Sequence, residues 1–403
     1  RLVGSEMCIR DRSSLVLNGI RPQYTGQPAV IPLGLTWEKS TTLNLGLDFA
    51  FLSNRLQFSG DIYQRKTTDM FTVGMSLPAV FGTDVPKGNY ADLTTKGFEL
   101  SVSWRDQFQL ASKPFNYEVR FTLADYQSTI DKYNNPEKKL GDDYYYEGMK
   151  VGEIWGYETE GFFTSQADID SHAKQPYFYA GATAGQWLPG DIKFKDLNGD
   201  GVIDYGNNTV DNPGDQKIIG NSEPRFIYGI NLSGDWNNFF VSAFFQGVGK
   251  QDWWPGSEAS YFWGMYNRPY NDMPKSHLGN IWTEENPNTY FPRLRGYSSE
   301  EPYAELNLKQ TRYLQNIAYI RMKNIQLGYT LPKSFISKLR MQNAKVYVSG
   351  ENLWSWSPFY KYSKDLDVEA VRGSDRDLTE GTSGNGYSYP ILKSVSFGLS
   401  VTF

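Results

Sequence analysis

Val395-Ser-Phe-Gly-Leu-Ser-Val-Thr-Phe403 closes the chain. Val395, Phe397, Leu399, Val401 and Phe403 alternate with Ser396, Gly398, Ser400 and Thr402, the period of two that belongs to a β-strand with one apolar face. The polar partners are small and uncharged, and the strand ends on an aromatic. An edge strand of a soluble sandwich has this form occasionally. It is the usual form of the last strand of an outer-membrane barrel, so Phe403 reads as a barrel-insertion signal.

The alternation recurs upstream. Leu43, Leu45, Leu47, Phe49 and Phe51 alternate with Thr42, Asn44, Gly46, Asp48 and Ala50. After a tight turn at Ser53-Asn54, Leu56, Phe58, Gly60 and Ile62 alternate with Gln57, Ser59, Asp61 and Tyr63. Phe98, Leu100, Val102 and Trp104 oppose Glu99, Ser101 and Ser103, and Phe115 to Leu123 repeats the pattern against Asn116, Glu118, Arg120 and Thr122. Charges keep to the face opposite the apolar one. In a sandwich that face is the wet exterior; in a membrane barrel it is the water-filled lumen.

Link lengths separate these two architectures. Further strands are expected at about 225–236, 239–250, 317–331, 343–354 and 391–403, giving about nine, with a tenth remnant around Leu15-Val16-Leu17. The links 53–54, 105–114, 237–238 and 332–342 are short, and 72–91, 127–224, 251–316 and 355–390 are long. Strict alternation is what a membrane barrel produces, with turns on its periplasmic side and loops on its extracellular side. Counting strands puts Phe403 on the side of the short turns. Trp37, Trp104, Trp236, Tyr329 and Phe403 stand at strand ends, where interfacial girdles lie.

Composition agrees. Of 403 residues, 16% are aromatic while the whole apolar set reaches only 39%, as expected where alternate strand positions meet lipid and most of the chain is loop. No run of about 20 apolar residues exists to form a membrane helix. With 40 basic against 45 acidic residues, a net charge of -5 and no basic block, nucleic-acid binding has no electrostatic support. A helical bundle does not fit 38 glycines, 20 prolines and 28 tyrosines. The fold class expected is all-β, an antiparallel transmembrane β-barrel with long extracellular loops.

Residues 1–12, RLVGSEMCIRDR, lack the apolar core of a signal peptide, and GSEMCIRDR resembles translated sequencing-adapter sequence. They are set apart from the body, 13–403. The single cysteine, Cys8, falls inside them, so the body has no disulfide or thiolate chemistry.

Several stretches together resemble one family. Leu35-Thr-Trp-Glu-Lys-Ser-Thr-Thr-Leu-Asn-Leu-Gly-Leu-Asp48, Gly60-Asp-Ile-Tyr-Gln-Arg-Lys-Thr-Thr-Asp-Met70 and Lys96-Gly-Phe-Glu-Leu100 are similar to segments of the SusC/RagA class of TonB-dependent outer-membrane transporters. Ile154-Trp-Gly-Tyr157, Gly161-Phe-Phe163, Pro189-Gly-Asp191 running on to Gly201, Ile219-Gly220, Arg321-Met-Lys-Asn324 running on to Pro332, and Gly350-Glu-Asn-Leu353 follow in the family's order. One departure is Asp367-Val-Glu369, where the family often has Asp-Pro-Glu.

The resemblance implies a 22-stranded barrel plugged by an N-terminal domain, of which 13–403 would be the C-terminal portion, with about nine or ten strands and no plug. It implies bacterial outer-membrane localisation, contact with lipid, TonB engaged through the N-terminal region, and a SusD-like surface lipoprotein as partner. The implied cargo is oligosaccharide or oligopeptide. A secreted, calcium-stabilised, carbohydrate-binding β-sandwich and a passive porin are the competing readings.

Asp196-Leu-Asn-Gly-Asp-Gly-Val-Ile-Asp204 has the spacing of an EF-hand-type calcium loop: side-chain oxygens of Asp196, Asn198 and Asp200, the turn glycine Gly201, the Val202 carbonyl, and Asp204 directly or through water. Position twelve is Asn207 rather than the bidentate glutamate, and Asp211 or Asp215 is a candidate to complete the shell. The same residues also make a metal-free turn. In the long loops Trp253, Trp254, Tyr261, Trp263 and Trp282 are candidates to stack on a substrate or meet a partner, or else to hold the loops together. Catalysis has no motif. The two histidines, His172 and His277, are not in an H-E-x-x-H array, and no nucleophile elbow or phosphate loop exists.

Overall fold

The computed structural model describes residues 10–12, 16, 19, 23–25, 34–74, 85–141, 144–176, 186–257, 259–268, 270, 272–300, 304–371 and 389–403. These residues form nine long strands: β1 Lys39–Phe51, β2 Leu56–Val73, β3 Lys87–Leu110, β4 Lys113–Lys132, β5 Arg225–Trp236, β6 Phe239–Lys250, β7 Tyr319–Thr330, β8 Asn343–Trp356 and β9 Ser394–Thr402. They make one antiparallel sheet in which every strand pairs with its neighbours in sequence. The described residues hold only two-stranded sheets besides this one, so no second sheet faces it and the sandwich reading falls. Val16 is outside any strand; Leu15 and Leu17 lie outside the described residues.

Register turns the alternation into two surfaces. Phe49, Phe58, Val102, Phe121, Ile230 and Phe245 stand in line across six strands, and Phe49 stacks on Phe58 at 4.5 Å. Trp236, Phe239, Tyr329, Val346 and Leu399 continue the apolar face to the last strand. On the reverse, Asp48, Ser59, Ser101, Thr122, Gly229, Gln246, Arg321 and Ser355 form one polar line. The apolar face is bare: Leu45 is 69% exposed and Phe397 87%. A water-soluble sheet buries that face, whereas a membrane barrel gives it to lipid.

The links alternate as the sequence requires. Residues 52–55, 111–112, 237–238 and 331–342 connect strands at one end, and 74–86, 133–224, 251–318 and 357–393 at the other. Ala111-Ser112 and Asn237-Asn238 are two-residue turns with positive φ at both positions, the twist that a tight hairpin requires; asparagine takes it readily and Ala111 does so against its preference. Thr402 pairs with Asn343, just past the fourth short link, so the chain ends at the short-turn side. Near this rim Phe108, Phe115, Tyr117, Phe239 and Tyr329 gather, and Trp236 donates to the Leu110 carbonyl at 3.0 Å.

One expectation needs correction. β2, β3 and β4 run 18, 24 and 20 residues, about twice a membrane-spanning strand, so the first long link shrinks to 74–86 and the second short one to 111–112. Beyond the lipid both faces of a strand are wet, and Lys87-Gly-Asn-Tyr-Ala91 and Gln127-Ser-Thr129 have no apolar side to betray their strands.

The long links fold on the strands as a crown with its own core. Ile192 and Phe194 from the second long link, Trp253, Trp263, Phe291 and Tyr313 from the third, and Phe359, Leu366 and Val371 from the fourth pack into one buried cluster. Arg225 clamps Asp125 with two bonds of 2.6 Å, and Asp125 also accepts the N–H of Phe226, holding that residue at φ +55° where strand meets crown.

The two faces predict unequal tolerance. Leu45→Arg should cost about 2–4 kcal/mol near the bilayer midplane, and Asn44→Arg on the polar face less than about 0.5 kcal/mol. Urea titration of the receptor folded in lipid vesicles measures both; equal losses would mean that the two faces meet the same solvent.

Candidate functional site

The 196–204 loop is closed by its own side chains. Asp196 accepts the N–H groups of Gly199 at 2.6 Å and Gly201 at 2.9 Å, Asn198 accepts that of Asp200 at 2.9 Å, and Asp200 accepts that of Val202 at 2.8 Å. Gly199 and Gly201 take φ of +78° and +82°, which these turns demand. Asp204 accepts from Gly206. Of the two residues nominated to complete the loop, Asp215 reaches it. It is fully buried and accepts from Leu197 at 2.7 Å, Asn198 at 3.4 Å and Asp204 at 2.8 Å.

Burial, with the Asp196 charge nearby, pushes the Asp215 carboxyl up, while the N–H of Gly201 holds that of Asp196 down. Every side-chain oxygen of Asp196, Asn198 and Asp200 already accepts a hydrogen bond inside the loop. Among the described residues no group of three or more His, Cys, Asp or Glu is arranged to hold a metal ion. The loop's own hydrogen bonds close it without a cation, and no step that follows is routed through calcium.

The nominated aromatics divide. Trp253, Trp254 and Trp263 are buried in the crown core; Trp263 donates to the carbonyls of Pro255 and Gly256, and Trp253 meets Phe262 and Phe359 edge to face. Their rings are covered by neighbouring rings and have no face left for a sugar. Trp282 is half-buried against Gly190, whose φ of +91° and lack of a Cβ let the indole lie on its backbone. Tyr261 alone of the five is open, at 56% exposure. Phe403 is exposed at the end of β9.

Charged pairs that no motif announced hold the crown in place. Asp191 is fully buried, accepts the N–H of Leu188 at 2.7 Å and binds Arg295 through Nε at 2.8 Å and through Nη2, with Arg293 at 3.7 Å. Glu305, also fully buried, accepts the N–H of Ile192 at 2.8 Å. Burial first and the Asp191 charge second raise its carboxyl well above the ordinary range. On the inner face of β7, Arg321 meets Asp367 at 2.6 Å and Glu369 at 3.2 Å, and Lys323 meets Glu369 at 2.5 Å. The Asp367-Val-Glu369 segment thus seats the fourth long link on the wall.

Comparison with known proteins agrees with this architecture. No family model matches. TonB-dependent receptor P3 of Formosa agariphila is 28% identical over 92% of this chain and 34% of its own length, and receptor P26 of the same organism 27% over 97% and 37%. TonB-dependent receptor SusC of Bacteroides thetaiotaomicron is 23% identical over 94% and 33%. The RagAB peptide transporter structure superposes with a TM-score of 0.70 at 18% identity, covering 98% of this chain and 38% of that one. Over more than nine tenths of its length the chain is similar to TonB-dependent receptors, SusC among them, and it shares the fold of the RagAB transporter. It is an outer-membrane β-barrel protein, and it spans about a third of the length of the curated relatives it matches.

Two outcomes test the crown. Arg321→Met leaves Asp367 and Glu369 without their buried partner, a loss of about 3–5 kcal/mol, and limited proteolysis should then cut within 357–371. His277 is buried with its ring 4.1 Å from that of Phe291, and Nε2 lies 2.9 Å from the Phe262 carbonyl oxygen. Burial lowers its pKa, partly offset by that bond. The unfolded imidazole takes a proton near about pH 6.5 and the folded one only below it, so this stability is complete above that pH and is lost as pH falls. Amide protection factors in the crown, corrected for the intrinsic pH dependence of exchange, should fall between about pH 7.5 and about pH 5, and less so in His277→Gln.

Proposed function

We propose that this chain supplies wall and extracellular loops of a TonB-energised nutrient importer that takes up oligosaccharide or oligopeptide and is capped by a SusD-like surface lipoprotein. The observation that carries this reading is that relatives matching at least 92% of the chain are all named TonB-dependent receptors. The structure supports it with a bare apolar face, long loops confined to one end, and a polar inner face on which a loop is seated by Arg321 and Lys323. A passive porin shares the wall, but has no use for links as long as 133–224 and 251–318 packed into one crown. Catalysis plays no part in the proposal.

Uptake of labelled oligosaccharides and oligopeptides by cells carrying the complete receptor tests it. Uptake of one class should fall at least tenfold in cells lacking TonB and in cells lacking the lipoprotein. Uptake indifferent to both losses would return the protein to the porins.

A further inference from the structure

The crown contains a second feature, away from the aromatics that its sequence brings to notice. A cleft of about 370 Å³ lies between residues 140–141 and 144–157, the 205–216 stretch and the 307–309 segment, within the size range of small-molecule sites. Tyr144, Tyr146, Trp155, Tyr157 and Tyr205 line it. Tyr146 and Tyr157 are buried, whereas Trp155 and Tyr205 are half-buried and Tyr144 is 39% exposed. Asn208, Gln216 and Asn307 share the same lining, together with one acid and one base, Glu153 and Lys309, whose charges balance.

From this lining we infer that the cleft is a binding subsite for one ring of a neutral saccharide. This deepens the importer reading and rests on it. A pyranose offers an apolar C–H face and a rim of hydroxyls that both donate and accept, and aromatic rings beside carboxamides answer both. Asn208 donates to the Leu140 carbonyl at 2.9 Å and Asn307 to that of Glu300 at 3.3 Å, which fixes each amide and assigns its oxygen as the acceptor. Trp155 Nε1 donates to Tyr146 Oη at 3.2 Å, and that hydroxyl donates to Glu153 at 2.5 Å. The Trp155 and Tyr146 rings are therefore set before a ligand arrives, which removes part of the entropic cost of binding.

A peptide read through its main chain needs an unpaired strand edge. Here Glu153–Tyr157 is paired with Gln216–Asn221 on one side. On the other, Tyr157 donates to the Lys309 carbonyl and accepts from Thr311. Side chains are left to do the recognising.

The complete receptor in detergent, probed with an array of neutral and acidic oligosaccharides and with short alanine peptides, tests the inference. The unaltered receptor should retain at least one neutral oligosaccharide. Tyr144→Ala and Gln216→Ala should each weaken that binding roughly tenfold. Tyr270→Ala, which removes a 77% exposed ring that does not line the cleft, should leave it unchanged. Retention of peptides or acidic sugars alone, of no probe, or equal binding by all variants overturns the subsite. The importer reading is measured apart from it, by uptake. Saccharide binding lost in the cleft variants with uptake indifferent to TonB sinks the importer and keeps the subsite; TonB-dependent uptake with binding equal in all variants does the reverse.

Discussion

Hydrocarbon offers no partner to a backbone N–H or C=O, and this one requirement organises the wall. Each strand must give its hydrogen bonds to a neighbour along its whole buried length, and a hairpin supplies the nearest neighbour at least entropic cost. Hence the uninterrupted meander from β1 to β9. Pairing in register then fixes the side chains, since directly opposed residues share a face. Phe49, Phe58, Val102 and Phe121 must all look outward once one of them does.

Where the strands leave lipid the constraint reverses. The links are back in water and have to bury apolar surface to hold any shape. They do so with rings: Trp253, Trp263, Phe291, Tyr313 and Phe359 interlock edge to face and stacked. Charges inside this core survive because each meets a counter-charge or a backbone N–H, as Asp191 does with Arg295 and Leu188. Glu305 accepts the Ile192 N–H on one oxygen, and burial, with the Asp191 charge second, pushes its carboxyl well above the ordinary range.

The legibility of the sequence follows the same division. β1, β5 to β9 and the membrane-level parts of β2 to β4 were readable because one face is apolar and the other is not. The upper parts of β3 and β4 were not, since a strand wetted on both sides loses its period. In the crown there is no period at all, and a tryptophan that closes a core is written with the same letters as one that displays its face; hence Trp253, Trp254 and Trp263 invited a ligand-facing reading. The 196–204 loop is ambiguous for a related reason. Oxygens at alternate positions serve a cation and an Asx turn equally, since an oxygen that accepts an N–H keeps a second lone pair. Pairs such as Arg321 with Asp367 and Asp191 with Arg295 stand 46 and 104 residues apart, beyond any local signal, although Arg321, Asp367 and Asp191 fall in stretches that the family resemblance had marked.

The common core under three long links has a mechanical consequence. Loops that each packed on their own strand would be free to swing one by one, like separate shutters. Links that share Phe262, Phe291, Phe359 and Trp253 at their centre cannot part without exposing those rings to water, so displacement of one must carry the others. The crown is then a single piece of masonry set on the rim, and any opening of the mouth has to be taken up at the joints where its links enter the strands.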